Sequence, residues 1–221
     1  MNTIGQNIYE GLELLPEDLQ GWNSNSDIFS NLIKKVLPNT IIEVGTWKGG
    51  SAVSMAKYCK TIIPFYKSNY DTTKIYCIDT WLGAAEFWTG ELARTPERNL
   101  LLKNGYPQIY YQFLSNVVHN GLQDYIIPIP VPSSIGVKIL KAQGVKADLI
   151  YIDGSHEYDD VFADLNSYSE LLNPGGVMFG DDYYSFADVG RAVNDFVATQ
   201  KAQDIKKKLE IVNENFWVYG N

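Results

Sequence analysis

The sequence predicts an α/β domain: a mostly parallel sheet with helices on both faces, finished by a C-terminal antiparallel hairpin. Three observations lead there. Short apolar runs alternate with amphipathic stretches of 3.6-residue period, the pattern of βα units. Two of the runs, 148–153 and 177–179, are apolar enough to be buried strands and end in acidic residues. The last apolar pair, 208–212 and 216–219, flanks Asn213-Glu214-Asn215, a turn signal between two strands. The chain has 221 residues, 45% of them hydrophobic, enough for one well-buried core, so 1–221 is expected to be one domain.

In order, residues 1–39 read as an N-terminal cap on that domain, with an aromatic tip at Gly21-Trp22. Within it Ser26 or Asp27 is placed to N-cap a helix carrying Ile28, Phe29, Leu32, Ile33 and Val36, stopped by Pro38. Thr40 to Gly45 reads as the first strand. Gly49 or Gly50 opens a helix, and Lys74 to Thr80 is the second strand. Residues 81–112, with Trp81, Phe87, Trp88, Tyr106, Tyr110 and Tyr111, are too long for an ordinary βα connection. They are expected to form an insertion acting as a lid over the sheet edge or as a homodimer contact. A helix around Phe113 to His119 follows. Ile126 to Val131 is a third strand, placed at an edge because Pro128 and Pro130 cannot donate to a ladder. Ser133 to Gln143 is a short helix. The fourth strand runs to Asp153, and the next helix carries Tyr158, Val161, Phe162, Leu165 and Leu172. Asn173-Pro174-Gly175-Gly176 stops it, the fifth strand starts at Val177, and Val189, Val193, Phe196 and Val197 mark a further helix.

Composition excludes some partners. The chain has 26 acidic and 18 basic residues and a formal charge of -8. Nucleic-acid binding relies on clustered Lys and Arg, and the one basic run, Lys206-Lys207-Lys208, reads as a solvated helix end. Such acidity is compatible with a cationic small molecule. Cys59 and Cys77 lack a metal-ligand spacing and read as free buried thiols, with one disulfide as the alternative. No signal-peptide pattern and no apolar run of membrane-spanning length occur, so a cytoplasmic protein without a membrane partner is expected.

The acids that close two neighbouring strands carry the chemistry. Asp153 ends the fourth strand in Ile152-Asp153-Gly154-Ser155-His156, and Asp181-Asp182 follow the fifth. Both fall at the carboxyl edge of a parallel sheet, where open α/β folds bind ligands. Three carboxylates so close require protons or a cation, and an all-oxygen set suits a hard ion such as Mg²⁺. The other end of the edge is Glu43-Val44-Gly45-Thr46-Trp47-Lys48-Gly49-Gly50-Ser51, a strand, a tight turn and a helix start. Its glycines allow close approach of a ligand, and the helix N-terminus offers N–H groups to a carboxylate. The G-x-G-x-x-G dinucleotide spacing is missing. Glu43 would repel a pyrophosphate yet suits an ammonium. Asp79 ends the second strand, where an acid commonly bonds ribose hydroxyls. Either acid is also readable as an ordinary strand-end carboxylate.

Residues 40–185 resemble the class I S-adenosylmethionine (SAM) methyltransferases, and within them the metal-dependent O-methyltransferases. Glu43-Val44-Gly45 with Gly49 and Ser51 is similar to the methionine-binding loop of the catechol O-methyltransferase type. Asp153-Gly154-Ser155-His156 and Asp181-Asp182 are closer to sugar-modifying enzymes of the macrocin O-methyltransferase type. The resemblance implies a Rossmann-like, seven-stranded fold. It places Gly45, Thr46 and Ser51 at the methionine end of SAM, Asp79 on the ribose, and Trp81 and Ser134 near the adenine. It makes Asp153, Asp181 and Asp182 ligands of Mg²⁺ or another divalent cation. Two positions depart from the catechol type: Asp182 stands where that group has Asn, and His156 where it has Lys.

The expected activity is therefore methyl transfer from SAM to a hydroxyl of a small molecule, a sugar or an aromatic natural product, assisted by a divalent cation. Asp153 and His156 are the catalytic candidates. His156 titrates near neutral pH and reads either as the base or as a cap of the following helix. Asp181-Asp182 also reads as a solvated loop, and the aromatics of 81–112 as packing. His119 reads as a charge partner of a helix C-terminus. Three other readings stay open: an NAD-dependent oxidoreductase on a similar sheet, a cephalosporin-hydroxylase-like enzyme, and a non-catalytic SAM-binding module.

Overall fold

The computed structural model describes residues 7–68, 71–89, 91, 95–202, 207–213 and 215–220. Lys206, Glu214, residues 1–6 of the cap, and residues 90 and 92–94 of the 81–112 stretch lie outside them. Seven strands form one sheet: β1 (Thr40–Val44), β2 (Lys74–Asp79), β3 (Ile126–Pro130), β4 (Ala147–Ile152), β5 (Leu172–Gly180), β6 (Lys208–Val212) and β7 (Phe216–Gly220). Their order across the sheet is β3-β2-β1-β4-β5-β7-β6. β1 to β5 pair in parallel, while β7 runs antiparallel to both β5 and β6. This is the predicted mostly parallel sheet with one reversed strand.

The helices are α1 (Asp27–Val36), α2 (Gly50–Tyr66), α3 (Ile109–His119), α4 (Ser133–Ala142), α5 (Tyr158–Ser169) and α6 (Ala187–Ala202). Alternation along each buried strand explains why two layers of helix are needed. Ile41, Leu149, Tyr151, Val177 and Phe179 face one core, shared with α1, α2 and α3. Ile42, Val44, Ile150, Ile152 and Met178 face the other, shared with α4, α5 and α6. In the first core Phe29 of α1 is fully buried, with its ring centroid 5.2 Å from Tyr151 and 5.8 Å from Phe179 in edge-on geometry. Such pairs add ~1 kcal/mol each beyond area burial.

Three local features match the sequence logic. Ser26 caps α1, its Oγ accepting from the Ile28 N–H at 3.4 Å. β3 is the edge strand, with Pro128 opposite Cys77 and Pro130 opposite Asp79. Cys59 and Cys77 are both free and buried.

Two boundaries differ. The third helix starts at Ile109 rather than near Phe113, because Ile109 and Phe113 lie one turn apart and are both fully buried, so Tyr110 and Tyr111 become helical. The fifth strand begins at Leu172 instead of Val177. Ala147 pairs with Leu172 and Leu149 with Val177, so the Asn-Pro-Gly-Gly segment is an irregularity inside the strand. Gly175, at φ +80°, makes that excursion possible.

The N-terminal segment is stapled to α3. Leu15 N–H donates to Ser115 Oγ at 3.0 Å, and Asp18 N–H to Asn116 Oδ1 at 2.9 Å. Asn116 returns Nδ2 bonds to the carbonyls of Asp18 at 2.7 Å and Lys48 at 2.8 Å. His119 bonds the Leu15 carbonyl at 2.8 Å, so it fastens this segment rather than serving its own helix end alone. Among the described residues no helix is long and apolar enough to cross a membrane.

Candidate active site

The turn after β1 has little freedom. Gly45 sits at φ +83°, and a Cβ there would lie 2.0 Å from the Asp153 carbonyl oxygen. The Gly45 N–H continues the ladder to the Ile78 carbonyl at 2.9 Å, and the Asp153 N–H donates to Val44 at 2.8 Å. Gly45 therefore locks the turn against the strand end that carries Asp153. Gly49, at φ +86°, opens α2, and a Cβ there would press on the Phe113 ring at 2.7 Å.

Asp79 organises this turn. Its Oδ2 accepts the N–H groups of Thr46 at 2.8 Å and Trp47 at 2.9 Å, and its Oδ1 accepts from Trp81 at 2.8 Å. A carboxylate oxygen retains acceptor capacity beyond these bonds, so Asp79 joins the first two strand ends and still suits a sugar hydroxyl. Lys48, 2% exposed, reaches away from the cleft to Asp18 at 2.7 Å.

Glu43 and Trp81 are buried where the expectation put them at a ligand. Glu43 is fully buried beneath the turn, its carboxyl bonded by Ser51 Oγ and, at 3.3 Å, by Cys77 Sγ. Burial pushes its pKa up to about 8. It supports the helix start and presents no open face to an ammonium in this conformation. Trp81 is 1% exposed, its indole N–H donated to the Trp47 carbonyl at 2.7 Å and its ring packed 4.9 Å from Tyr110 and Phe113. It is core, with no face left for an adenine, because φ +53° turns it inward at the end of β2. Ser134 is exposed in the first turn of α4.

The acids gather as the sheet order requires, since β4 and β5 are neighbours. Ligand atoms of Asp153, His156 and Asp182 all lie within 4.8 Å of one another. His156 Nε2 is 3.0 Å from Asp182 Oδ2, and its ring stacks on Phe186 at 3.9 Å and 13°. Asp153 Oδ2 accepts the Tyr151 hydroxyl at 2.7 Å. Burial pushes Asp153 up to about 7, reinforced by the charges of Asp181 and Asp182 and opposed by the Tyr151 hydrogen bond. The hydrogen bond to Asp182 raises the pKa of His156, although burial works against it. Asp182 stands at φ +66°, a costly conformation for a non-glycine residue.

Asp181 sits beside this group but faces other partners. Its Oδ2 accepts from Asn23 Nδ2 at 2.8 Å, and its Oδ1 from Asn215 Nδ2 at 2.6 Å and the Asp182 N–H at 2.7 Å. The expected trio of aspartates is thus adjacent, but the tightest donor set replaces Asp181 with His156. An N/O set of this kind accepts Mn²⁺ or Fe²⁺ as readily as Mg²⁺. The pressure on Asp153 to hold a proton is what a cation would relieve, so the donor chemistry fits a divalent ion.

Asn23, Asn215, Tyr151 and Phe186 were missed from the sequence. Tyr151 was findable, because residues two apart on a strand share a face. Asn215 needed the strand order, since the hairpin turn reaches Asp181 only because β7 lies beside β5. Asn23 carried no signal.

The fold and this edge define a class: an open α/β domain with a glycine turn at β1, an acid at the end of β2, and an acidic cluster at β4 and β5. Residues 42–183 match the family model described as a methyltransferase domain, and the chain belongs to that family, as a domain of the class I SAM-dependent methyltransferase type. It is similar to an O-methyltransferase from Bacillus cereus solved with SAH (13% identity, TM-score 0.57, 94% of this chain and 84% of that one). It is also similar to TomG from Streptomyces achromogenes, an O-methyltransferase of tomaymycin synthesis solved with SAM (11% identity, TM-score 0.61, 92% and 82%). A third similar structure is CalS11, a TDP-rhamnose 3'-O-methyltransferase of calicheamicin biosynthesis (17% identity, TM-score 0.58, 87% and 77%). An uncharacterized protein, R132, of Acanthamoeba polyphaga mimivirus is 26% identical over 168 residues, 74% of this chain. The chain spans 61% of the length of that relative.

Proposed function

We propose that this protein transfers a methyl group from SAM to a hydroxyl of a small molecule, with a divalent cation at the acidic edge of the sheet. The observation that carries the reading is the juxtaposition of Asp153, His156 and Asp182 within 4.8 Å, on the strand end that Gly45 locks to the β1 turn. Family membership and the O-methyltransferases of like fold support it.

The residues divide the work. The Gly45–Ser51 turn, with the helix N-terminus behind it, would receive the methionine end of SAM, and Asp79 the ribose. Asp153, Asp181 and Asp182 would hold the cation, which when bound supplies Lewis-acid stabilisation to a hydroxyl losing its proton. His156 is placed to accept that proton, and Asp182 fixes its ring and favours the charged imidazolium that results. A positioned base contributes ~10²–10⁴-fold. Phe186 holds the ring flat and excludes water from one side. Tyr151 orients Asp153. With 1–221 as a single catalytic domain, the expected partners are the hydroxyl acceptor and a second copy of the chain in a homodimer, and a NAD-dependent oxidoreductase is disfavoured by the turn's lack of the dinucleotide spacing.

The test is transfer of label from methyl-labelled SAM into a hydroxylated acceptor library with Mg²⁺ or Mn²⁺, the products analysed by mass spectrometry. Base-stable, ether-linked label is expected. Label in amines or carboxyl esters, or SAH that fails to bind by calorimetry, would refute the reading.

A further inference from the structure

The proposed reaction leaves open what distinguishes the acceptor, and one cation beside the cleft bears on it. That cation is the guanidinium of Arg98. Its guanidinium carbon lies 5.6 Å from the ring centroids of both Trp22 and Phe87. Among the described residues no carboxylate stands within ion-pairing distance of it, and its buried Nε has no hydrogen-bond acceptor.

The surroundings tie this cluster to the active site on two sides. Phe87 packs edge-on against Trp47 at 5.0 Å, and Trp47 belongs to the turn whose N–H is held by Asp79. Trp22 is 6.2 Å from both Trp47 and Phe87, and its neighbour Asn23 donates to Asp181. Trp22 and Trp88 are each 47% exposed, so aromatic faces remain open at this rim. Trp22 lies outside the stretch matched by the family model, so the rim joins the N-terminal segment to Phe87 and Arg98.

We infer that Arg98, framed by Trp22 and Phe87, is the specificity-determining residue for the acceptor and recognises a carboxylate or phosphate carried by the hydroxylated molecule. The inference rests on the methyltransferase reading and deepens it. Asp153, Asp181 and Asp182 make the cleft repel anions, so an anionic acceptor needs one fixed cation, and the planar guanidinium fork matches both oxyanions. The acceptor lies with its reacting hydroxyl at the acidic cluster and its anionic end at Arg98, its ring against the exposed tryptophans.

The test is calorimetric titration of the SAH complex in Mg²⁺ with matched pairs that differ in the anionic group: 3,4-dihydroxybenzoate against 3,4-dihydroxybenzyl alcohol, galacturonate against galactose, and rhamnose 1-phosphate against rhamnose. The anionic member of at least one pair should bind tenfold or more tighter. Arg98→Gln should erase that preference and Arg98→Lys keep part of it, with SAH affinity and melting temperature unchanged in both. Preference in the first two pairs identifies a carboxylate, and in the third a phosphate. Equal binding within every pair, or a preference that survives Arg98→Gln, overturns the inference and shows that the guanidinium only packs against the rings. Loss of SAH binding in the unmodified protein would instead sink the methyltransferase reading itself.

Discussion

The two halves of the sheet edge are held by different forces. At the β1–β2 end the turn is fixed by backbone: Asp79 accepts three main-chain N–H groups, and Gly45 occupies a space no Cβ can enter. At the β4–β5 end the geometry is side chain on side chain, with like charges close together: Asp153 against Asp182, His156 on Phe186, Asp181 between two asparagines. The first half is therefore a rigid receptor. The second crowds carboxylates whose burial and mutual repulsion hold Asp153 toward its protonated form, a perturbation common at functional sites.

The rigid half should break hardest. Gly45→Ala adds a Cβ 2.0 Å from a backbone oxygen at positive φ, and a loss of at least ~3 kcal/mol is expected in urea unfolding, with SAH binding abolished. A Gly45→Ala protein of unchanged stability would mean the turn is looser than its hydrogen bonds imply. In the reacting half, Asp182→Asn should leave the fold and SAH affinity intact but lower turnover at least ~100-fold, read as labelled methyl transfer. Comparable losses in SAH affinity would erase the distinction between the halves.

A smaller effect comes from behind the Asp153–Gly154 turn. Asp164 of α5 is 7% exposed, and burial pushes it up to about 6. Because its folded pKa lies above the unfolded value, its stabilising state is fully present below about pH 4 and is lost as pH rises through about 6. Asp164→Asn should thus stabilise the protein by ~1–3 kcal/mol at pH 7, seen as a higher melting temperature, and by little at pH 3.5. An equal gain at both pH values would remove the electrostatic cause. Least of all, Asn23→Ala should lower turnover only several-fold, since Asn215 still holds Asp181, and pairing it with Asn215→Ala should cost more than the two singly.

How much of this could be read beforehand follows the same division. Period and punctuation determine strands and helices, so the order of elements, the edge position of the two-proline strand and the reversed hairpin strand were all legible. Asp153 and Asp182 were legible too, because strand ends of neighbouring parallel strands must share an edge. What was not legible depends on side-chain direction. Trp81 reads as a ligand wall but turns into the core at positive φ, and Glu43 reads as a ligand acid but is sealed under Ser51. Asn23 reaches the site from a segment without periodicity, and no local pattern announces a contact made across 158 residues of chain.

In the proposed enzyme the β4–β5 acids form one cation site beside an independent donor site. Electron paramagnetic resonance of Mn²⁺ titrated against the purified protein measures it directly. One bound Mn²⁺ per chain is predicted, lost in Asp153→Asn and in Asp182→Asn and retained in Asp79→Asn. Free Mn²⁺ at every ratio in the unmodified protein, or binding that persists in both cluster variants, would contradict it.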